Sequence, residues 1–281
     1  MSARLAGDAT RTFDGARLRA CLIVDGCVEH ATAWQRPDGP ICVSASSQAA
    51  VERMRFVLAL DDDHSAFLRR FADDPLLRRT LREVRGLRPL RTGTVCQAVL
   101  RALAGQLIEA RRARAIERRI VRAVSPVEGP LAAPPTAESL AGLAPAALCR
   151  DGLSARKAAT LVRLCRSLEP ERLFDTDPAG CAARLERERG IGPWSVGVIF
   201  LEGLGRYDRG LVGDLGLAKL LAAMRGRWVE GWETAELLEP YGEWAGLASV
   251  YLLAGWGRGL LPMPRDDLRR LRDAEARLTA A

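Results

Sequence analysis

Asp214 stands at the end of Gly210-Leu211-Val212-Gly213 and leads into Leu215-Gly216-Leu217-Ala218-Lys219-Leu220, twenty residues after Trp194. Its place is that of a helix N-cap, where a side-chain oxygen accepts hydrogen bonds from amides of the first turn. The helix dipole and those donors favour the charged carboxylate, so an anion is expected there at neutral pH. A fixed anion suits reactions that develop positive charge on carbon. When an N-glycosidic bond breaks, the sugar becomes oxocarbenium-like as its base departs, and a carboxylate can stabilise that charge while water is held or activated for attack. The alternative is a helix cap and nothing more.

Upstream lies Leu185-Glu186-Arg187-Glu188-Arg189-Gly190-Ile191-Gly192-Pro193-Trp194-Ser195-Val196-Gly197. The pattern predicts a helix end, a tight turn, and a second helix with Pro193 at or near its first position. Gly190 and Gly192 permit the turn and a close backbone approach, while Ile191 is expected to anchor it in the core. The amides from Gly192 to Ser195 are expected to face outward, where a phosphate would satisfy them. An ordinary corner between two helices is the competing explanation.

The elements that must position these residues follow from periodicity. Arg17 to Val24, Cys27 to Trp34, Ile41 to Ser44 and Arg53 to Leu60 read as strands, with Asp25-Gly26 as the strongest hairpin signal and a further turn at Pro37-Asp38-Gly39. From His64 to about Arg85 the spacing turns helical, with Phe67, Phe71, Leu76, Leu77 and Leu81 on one side. Beyond Thr94 every element is expected to be helical. Cys96 to Val124 carries one apolar stripe through Val99, Leu100, Leu103, Leu107 and Ile108 to Ile116, Ile120 and Val121, and Ser125 to Pro135 reads as a loop. A helix start follows at Pro135 to Ser139, and Ser154 is expected to cap a helix to Ser167 with Arg156 and Lys157 in its opening turn. Further helices are predicted over Pro178 to Arg189, Trp194 to Glu202, Leu215 to Met224, Thr234 to Leu238, Glu243 to Leu253 and Arg265 to Leu278. The fold class is therefore α+β, with a small N-terminal α/β domain over residues 1–88 and a helical region over 89–281 that holds the hairpin at 185–197.

Composition narrows the partners. The 281 residues carry a net charge of +7, and between Arg91 and Arg122 eight arginines face two glutamates, whereas the chain after Glu128 is nearly neutral. A local basic excess suits a phosphate backbone, and a solvated helix face is its plainer explanation. No stretch approaches the roughly 20 apolar residues that cross a bilayer, and no signal region is visible, so a cytoplasmic location is expected. Seven scattered cysteines, none spaced as Cys-x-x-Cys, and two histidines speak against a zinc or iron–sulfur centre.

With the hairpin, its spacing and Asp214 in place, the sequence resembles the helix-hairpin-helix DNA glycosylase superfamily, and most closely the bacterial 3-methyladenine DNA glycosylase II branch. The likeness is strongest over Gly86-Leu87-Arg88, over Val99 to Leu107, and from Leu153 to about Gly255. It implies an N-terminal α/β domain, two helical subdomains with the active-site cleft between them, and Asp214 as the catalytic carboxylate. Duplex DNA with damaged bases is the implied partner, contacted by Gln106, Leu107, Gly190, Gly192 and Ser195, with the enzyme acting as a monomer. Leu107 falls where the family inserts a side chain into the gap left by a flipped base, a role that suits an apolar wedge. As part of the apolar stripe it is equally readable as core, and Gln106 either meets the orphaned base or caps the local backbone.

Members that also cleave the strand carry a lysine nucleophile where this chain has Trp194, so simple hydrolysis without lyase activity is expected. The indole either lines the base pocket or packs against a neighbouring helix. In the base pocket relatives often present an aromatic ring at the position of Leu253, and its loss here speaks against broad alkylpurine excision; Tyr251, Trp244 and Trp256 either replace it or have a core or rim role. The histidines, His30 and His64, fall in the expected N-terminal domain, away from Asp214, which favours labile alkylated purines over neutral oxidised bases. No cofactor is required by the resemblance, which does imply a structural monovalent cation (Na+ or K+) on backbone carbonyls of Glu186, Glu188 and Ile191. Two rival functions remain at this stage: excision of oxidised or deaminated bases, and non-catalytic recognition of damaged DNA.

Overall fold

The computed structural model describes residues 7–37 and 39–262; the helix expected over Arg265 to Leu278, and Asp38 of the second turn, lie outside them. The chain divides into two units, Met1–Asp62 with Arg88–Gly205 and Asp63–Leu87 with Arg206–Ala281.

In the first unit β1 (Arg11–Phe13), β2 (Arg17–Val24), β3 (Cys27–Gln35) and β4 (Ile41–Ala45) form an antiparallel sheet in sequence order. Strands β2 and β3 pair from Arg17↔Trp34 to Val24↔Cys27. Asp25 and Gly26 between them both take positive φ, 50° and 79°, the two-residue turn that matches strand twist. Alternation along β2 turns Leu18, Ala20 and Leu22 toward Ala31 and Ala33 of β3 and toward Ala50, Met54 and Val57 of helix α1 (Gln48–Val57). The strand expected over Arg53 to Leu60 is thus largely helix. Ser47 caps it by accepting from the Ala50 amide at 3.1 Å, and the 50-54-57 spacing gives a helix a buried face, which outweighs the β-branched valines.

Helices α2 (Ser65–Arg70) and α3 (Arg78–Glu83) belong to the second unit, and the first resumes with α4 (Val95–Gly105) and α5 (Ala110–Val124). The helical segment read from Cys96 to Val124 is two helices, with the break after Gly105 that the resemblance implies; there Gln106 is extended and Leu107 has φ 57°. The expected loop at Ser125 to Pro135 holds a two-strand ladder, β5 (Val127–Glu128) and β6 (Leu131–Ala132), turned at Gly129 with φ 58°. Then come α6 (Ala137–Ala141) with a Thr136–Ser139 capping box, α7 (Pro145–Arg150), α8 (Ala155–Ser167) capped by Ser154, α9 (Pro178–Glu186) and α10 (Pro193–Val198).

Helix α4 is buried on nearly every side, and its one cation, Arg101, is met by three carboxylates. It donates to Glu117 at 2.8 Å, to Glu202 at 2.7 Å and to Asp8 at 3.4 Å. Glu202 lies in a π-helical continuation of α10, Ile199–Leu204, and its carbonyl accepts from the Thr92 amide at 2.7 Å.

In the second unit α11 (Leu215–Arg225), α12 (Thr234–Leu238) and α13 (Ala245–Trp256) join α2 and α3. Helix α13 is apolar all round and buried from Ala245 to Leu252. Phe67 packs on Phe71, Trp244 and Tyr251 with ring centroids 5.1 to 5.8 Å apart. His64 falls in this unit, its Nε2 2.9 Å from the Tyr207 hydroxyl.

Candidate functional site

In the second unit the chain reaches Asp214 through a loop held at several points. Gly246 donates from its amide to the Tyr207 carbonyl at 2.7 Å, and a methyl group there would lie 2.8 Å from the Arg209 carbonyl oxygen. The Leu211 amide donates to Ser249 Oγ at 3.1 Å, and the Gly213 amide to Thr234 Oγ1 at 2.8 Å. Both hydroxyls are buried. Gly213 turns with φ 89°, and Asp214 then caps α11, its Oδ1 accepting from Gly216 at 2.8 Å and Leu217 at 3.2 Å. The half-buried carboxylate therefore keeps a fixed direction. Ser249 and Thr234 were not foreseen; small hydroxyl residues on apolar helices carry little signal until the loop they hold is known.

Leu253 and Asp214 flank the same glycine. A methyl group on Gly216 would lie 2.6 Å from Leu253 Cδ2 and 3.0 Å from Asp214 Oδ1. Tyr251, grouped with them by sequence, sits elsewhere: it is 1 % exposed, packs on Phe67 at 5.4 Å, and donates to the Leu87 carbonyl at 3.4 Å. Two residues apart on a helix point about 200° apart, so with Leu253 beside the cap Tyr251 faces the core. Trp244 likewise belongs to the aromatic cluster, stacked on Tyr207 at 6.1 Å.

The first unit brings the hairpin and the α4–α5 turn together. Gly190 has φ 97° and rests on Thr160, where a methyl group would meet Oγ1 at 3.0 Å; Gly192 faces open space. Ile191 is buried, and its amide donates to the Glu188 carbonyl at 3.0 Å. Ser195 is 1 % exposed, and its hydroxyl serves the protein interior. It accepts from Gln106 Nε2 at 2.9 Å, and the same nitrogen donates to the Gly190 carbonyl at 2.8 Å.

Leu107 follows Gln106 fully exposed, at 103 % of its reference area, which rules out the core role that the apolar stripe allowed. Trp194 packs against α4: a methyl group on Gly105 would lie 2.7 Å from indole Cη2. That contact explains the glycine. Arg111, Arg112 and Arg118 of α5 are solvent-exposed while Ala113, Ile116, Glu117, Ile120 and Val121 are buried.

All seven cysteines are free; the Sγ atoms of Cys96 and Cys165 are 3.6 Å apart. Among the described residues no cluster of His, Cys, Asp or Glu side chains is arranged to hold a metal ion, and no helix is long and apolar enough to cross a membrane.

No family model matches the sequence. Over 206 residues it is 26 % identical to a DNA-3-methyladenine glycosylase of Bacillus subtilis, which covers 69 % of this chain and 67 % of that protein. A 3-methyladenine DNA glycosylase from Archaeoglobus fulgidus superposes with a TM-score of 0.77 at 20 % identity, over 87 % of this chain and 88 % of the other. An 8-oxoguanine glycosylase/lyase of Clostridium acetobutylicum, solved with double-stranded DNA containing cytosine opposite 8-oxoguanine, superposes with a TM-score of 0.72 at 16 % identity, over 89 % and 88 %.

Proposed function

We propose, for a chain that has the α+β fold of the helix-hairpin-helix DNA glycosylases, that it is a base-excision-repair DNA glycosylase hydrolysing the N-glycosidic bond of alkylated purines in duplex DNA. The observation that carries this reading is Asp214. A carboxylate fixed by two amides of α11 stands ready to stabilise positive charge on a deoxyribose whose base is leaving. Its orientation is set before substrate arrives, so little reorganisation is needed during the reaction.

Simple hydrolysis is the proposed outcome. Strand cleavage by a lyase needs an amine that attacks the sugar carbon. The chain has two lysines, Lys157 and Lys219, and at the hairpin position the side chain is the Trp194 indole. Leu107 is the proposed wedge, since an exposed apolar side chain on a turn can replace lost base stacking without needing a hydrogen-bond partner. The hairpin at Gly190–Ser195 is proposed to grip the phosphate backbone, with the α5 arginines adding charge. Leu253 beside Asp214 is proposed to line the base pocket. The carbonyls of Glu186, Glu188 and Ile191 are proposed to hold Na+ or K+, for which carbonyl oxygens are suitable donors, although the Glu188 carbonyl already accepts from the Ile191 amide; such an ion would brace the hairpin and take no part in bond cleavage.

The preference for labile alkylated purines rests on leaving-group chemistry. A base that is already cationic departs without a general acid; His30 is paired with Glu128 at 2.5 Å, and His64, although in the same unit as Asp214, has its Nε2 engaged by the Tyr207 hydroxyl at 2.9 Å. The test is base release from duplexes carrying 3-methyladenine, 7-methylguanine, 1,N6-ethenoadenine, hypoxanthine, uracil or 8-oxoguanine, with wild type and Asp214→Asn. The expected result is release of an alkylated purine by wild type alone, with strand breakage only after alkali. Release of 8-oxoguanine in preference would move the substrate to oxidised bases, strand breakage without alkali would overturn simple hydrolysis, and duplex binding without release of any base would leave a damage-recognition protein.

A further inference from the structure

We propose that Lys157 and Gln106 are positioning residues that hold the Leu107 turn ready for insertion and tie it to the hairpin; the proposal rests on the reading of Leu107 as the wedge. Leu107 gains nothing from burial and has φ 57°. A left-handed leucine is disfavoured by roughly ten-fold or more in population, and such a residue persists only where its surroundings over-determine it.

The surroundings act through the residue before it. The Gln106 carbonyl accepts from Lys157 Nζ at 2.7 Å, and its carboxamide nitrogen donates to Gly190 O at 2.8 Å and Ser195 Oγ at 2.9 Å. A carboxamide has two N–H donors, so both are used within the protein. Three hydrogen bonds from two elements, the opening turn of α8 and the hairpin, thus converge on one residue.

The lysine itself is out of character for the chain. Of 42 basic residues 40 are arginine, because only Lys157 and Lys219 are lysine. A compact ammonium can be aimed at a single carbonyl where a planar guanidinium would need a wider set of acceptors. Lys157 also lies in the first turn of α8, where a cation works against the helix dipole, so its position does not serve the helix. Burial depresses its pKa, in keeping with an ammonium partly withdrawn from water to meet that carbonyl. The consequence is mechanical: seating the hairpin on a phosphate and presenting the wedge to the gap depend on the same glutamine.

The experiment compares wild type with Lys157→Met, Gln106→Met, Leu107→Ala and Lys157→Met/Leu107→Ala. Single-turnover release of 3-methyladenine reports the chemistry, 2-aminopurine fluorescence beside an abasic analogue reports gap filling, and affinity for undamaged duplex reports the hairpin. Lys157→Met is expected to lower release by roughly ten-fold and to reduce the fluorescence change, with undamaged duplex bound as before, whereas Gln106→Met, which also removes the two bonds to the hairpin, is expected to lower release as far and to weaken binding of undamaged duplex as well. In the Leu107→Ala background, Lys157→Met is expected to add nothing, a non-additivity that a general loss of stability would not produce. Wild-type rates in Lys157→Met, or losses that multiply in the double variant, would overturn the proposal while leaving the glycosylase reading in place. Absence of release and of any fluorescence change with wild type would overturn that reading, and this proposal with it.

Discussion

Asparagine caps a helix about as well as aspartate, so two substitutions at Asp214 separate charge from architecture. Asp214→Asn should melt as wild type does yet lose roughly 100-fold or more in single-turnover base release. Asp214→Ala should lose the same activity and, in addition, about 1 kcal/mol of stability, read by denaturant unfolding. Equal stability for the two variants would mean that the cap contributes little. Leu107 invites the opposite comparison. Glycine at φ 57° relieves roughly 1–2 kcal/mol of backbone strain and returns part of it through unfolded-state entropy. Leu107→Gly should therefore unfold no more easily than wild type, while base release falls at least about ten-fold. Asp214 was legible because capping chemistry, a preceding glycine and helical periodicity agree at one position. Leu107 was legible only through the family resemblance, because the apolar stripe continues through it and the bonds that hold the residue before it come from Lys157 and the hairpin, far away in sequence.

At the scale of elements, α5 opens with Arg111 and Arg112 and has no acidic residue in its first turn. Cations there oppose the helix dipole, a cost that a phosphate beside them would offset. Each arginine in contact with a phosphate adds roughly 0.9 to the slope of log affinity against log salt. Arg111→Gln/Arg112→Gln should flatten that slope by about 2 and leave the preference among damaged bases unaltered, as measured by duplex binding across a salt series. An unchanged slope would return these arginines to a solvated face. The helix itself was plain from its spacing, and so were β2, β3 and their Asp25-Gly26 turn. Helix α1 was misread because Val51, Phe56 and Val57 favour a strand locally, whereas the sheet needs a helical face of Ala50, Met54 and Val57 to cover it. The β5–β6 ladder was missed because its strands are two residues long, below any period.

For the whole molecule, acid should be the effective denaturant. In the first unit Asp8 is buried, and despite that burial Arg11, Arg101 and the Thr10 hydrogen bonds hold its carboxyl below the usual carboxylate range. In the second, hydrogen bonding from Arg227 is the main cause that brings Glu233 down to about 2 from 4.5, with the Glu230 amide and Arg225 adding to it. Both groups have folded values below their unfolded ones, so their contribution is complete above about pH 4.5 and is lost as the pH falls toward 2. Thermal unfolding should be insensitive to these groups from pH 7 to 5 and decline below that window. Glu233→Gln should lower the neutral melting temperature and shallow the acid limb; an unchanged limb would assign it to other carboxylates. The Glu233 cluster also fixes the loop that carries the exposed Trp228 and Trp232, neither of which stood out in the sequence.

The contact of Trp194 with Gly105 bears on how such a chain can change over generations. Enlarging position 105 while the indole is present drives a methyl group into the ring, whereas exchanging the indole for a narrower or charged side chain leaves space above the glycine. The two positions are coupled: a side chain at 105 requires the indole to shift or residue 194 to change. A lineage that kept tryptophan would tend to keep the glycine beneath its ring, and one that exchanged the indole would be freed to vary position 105.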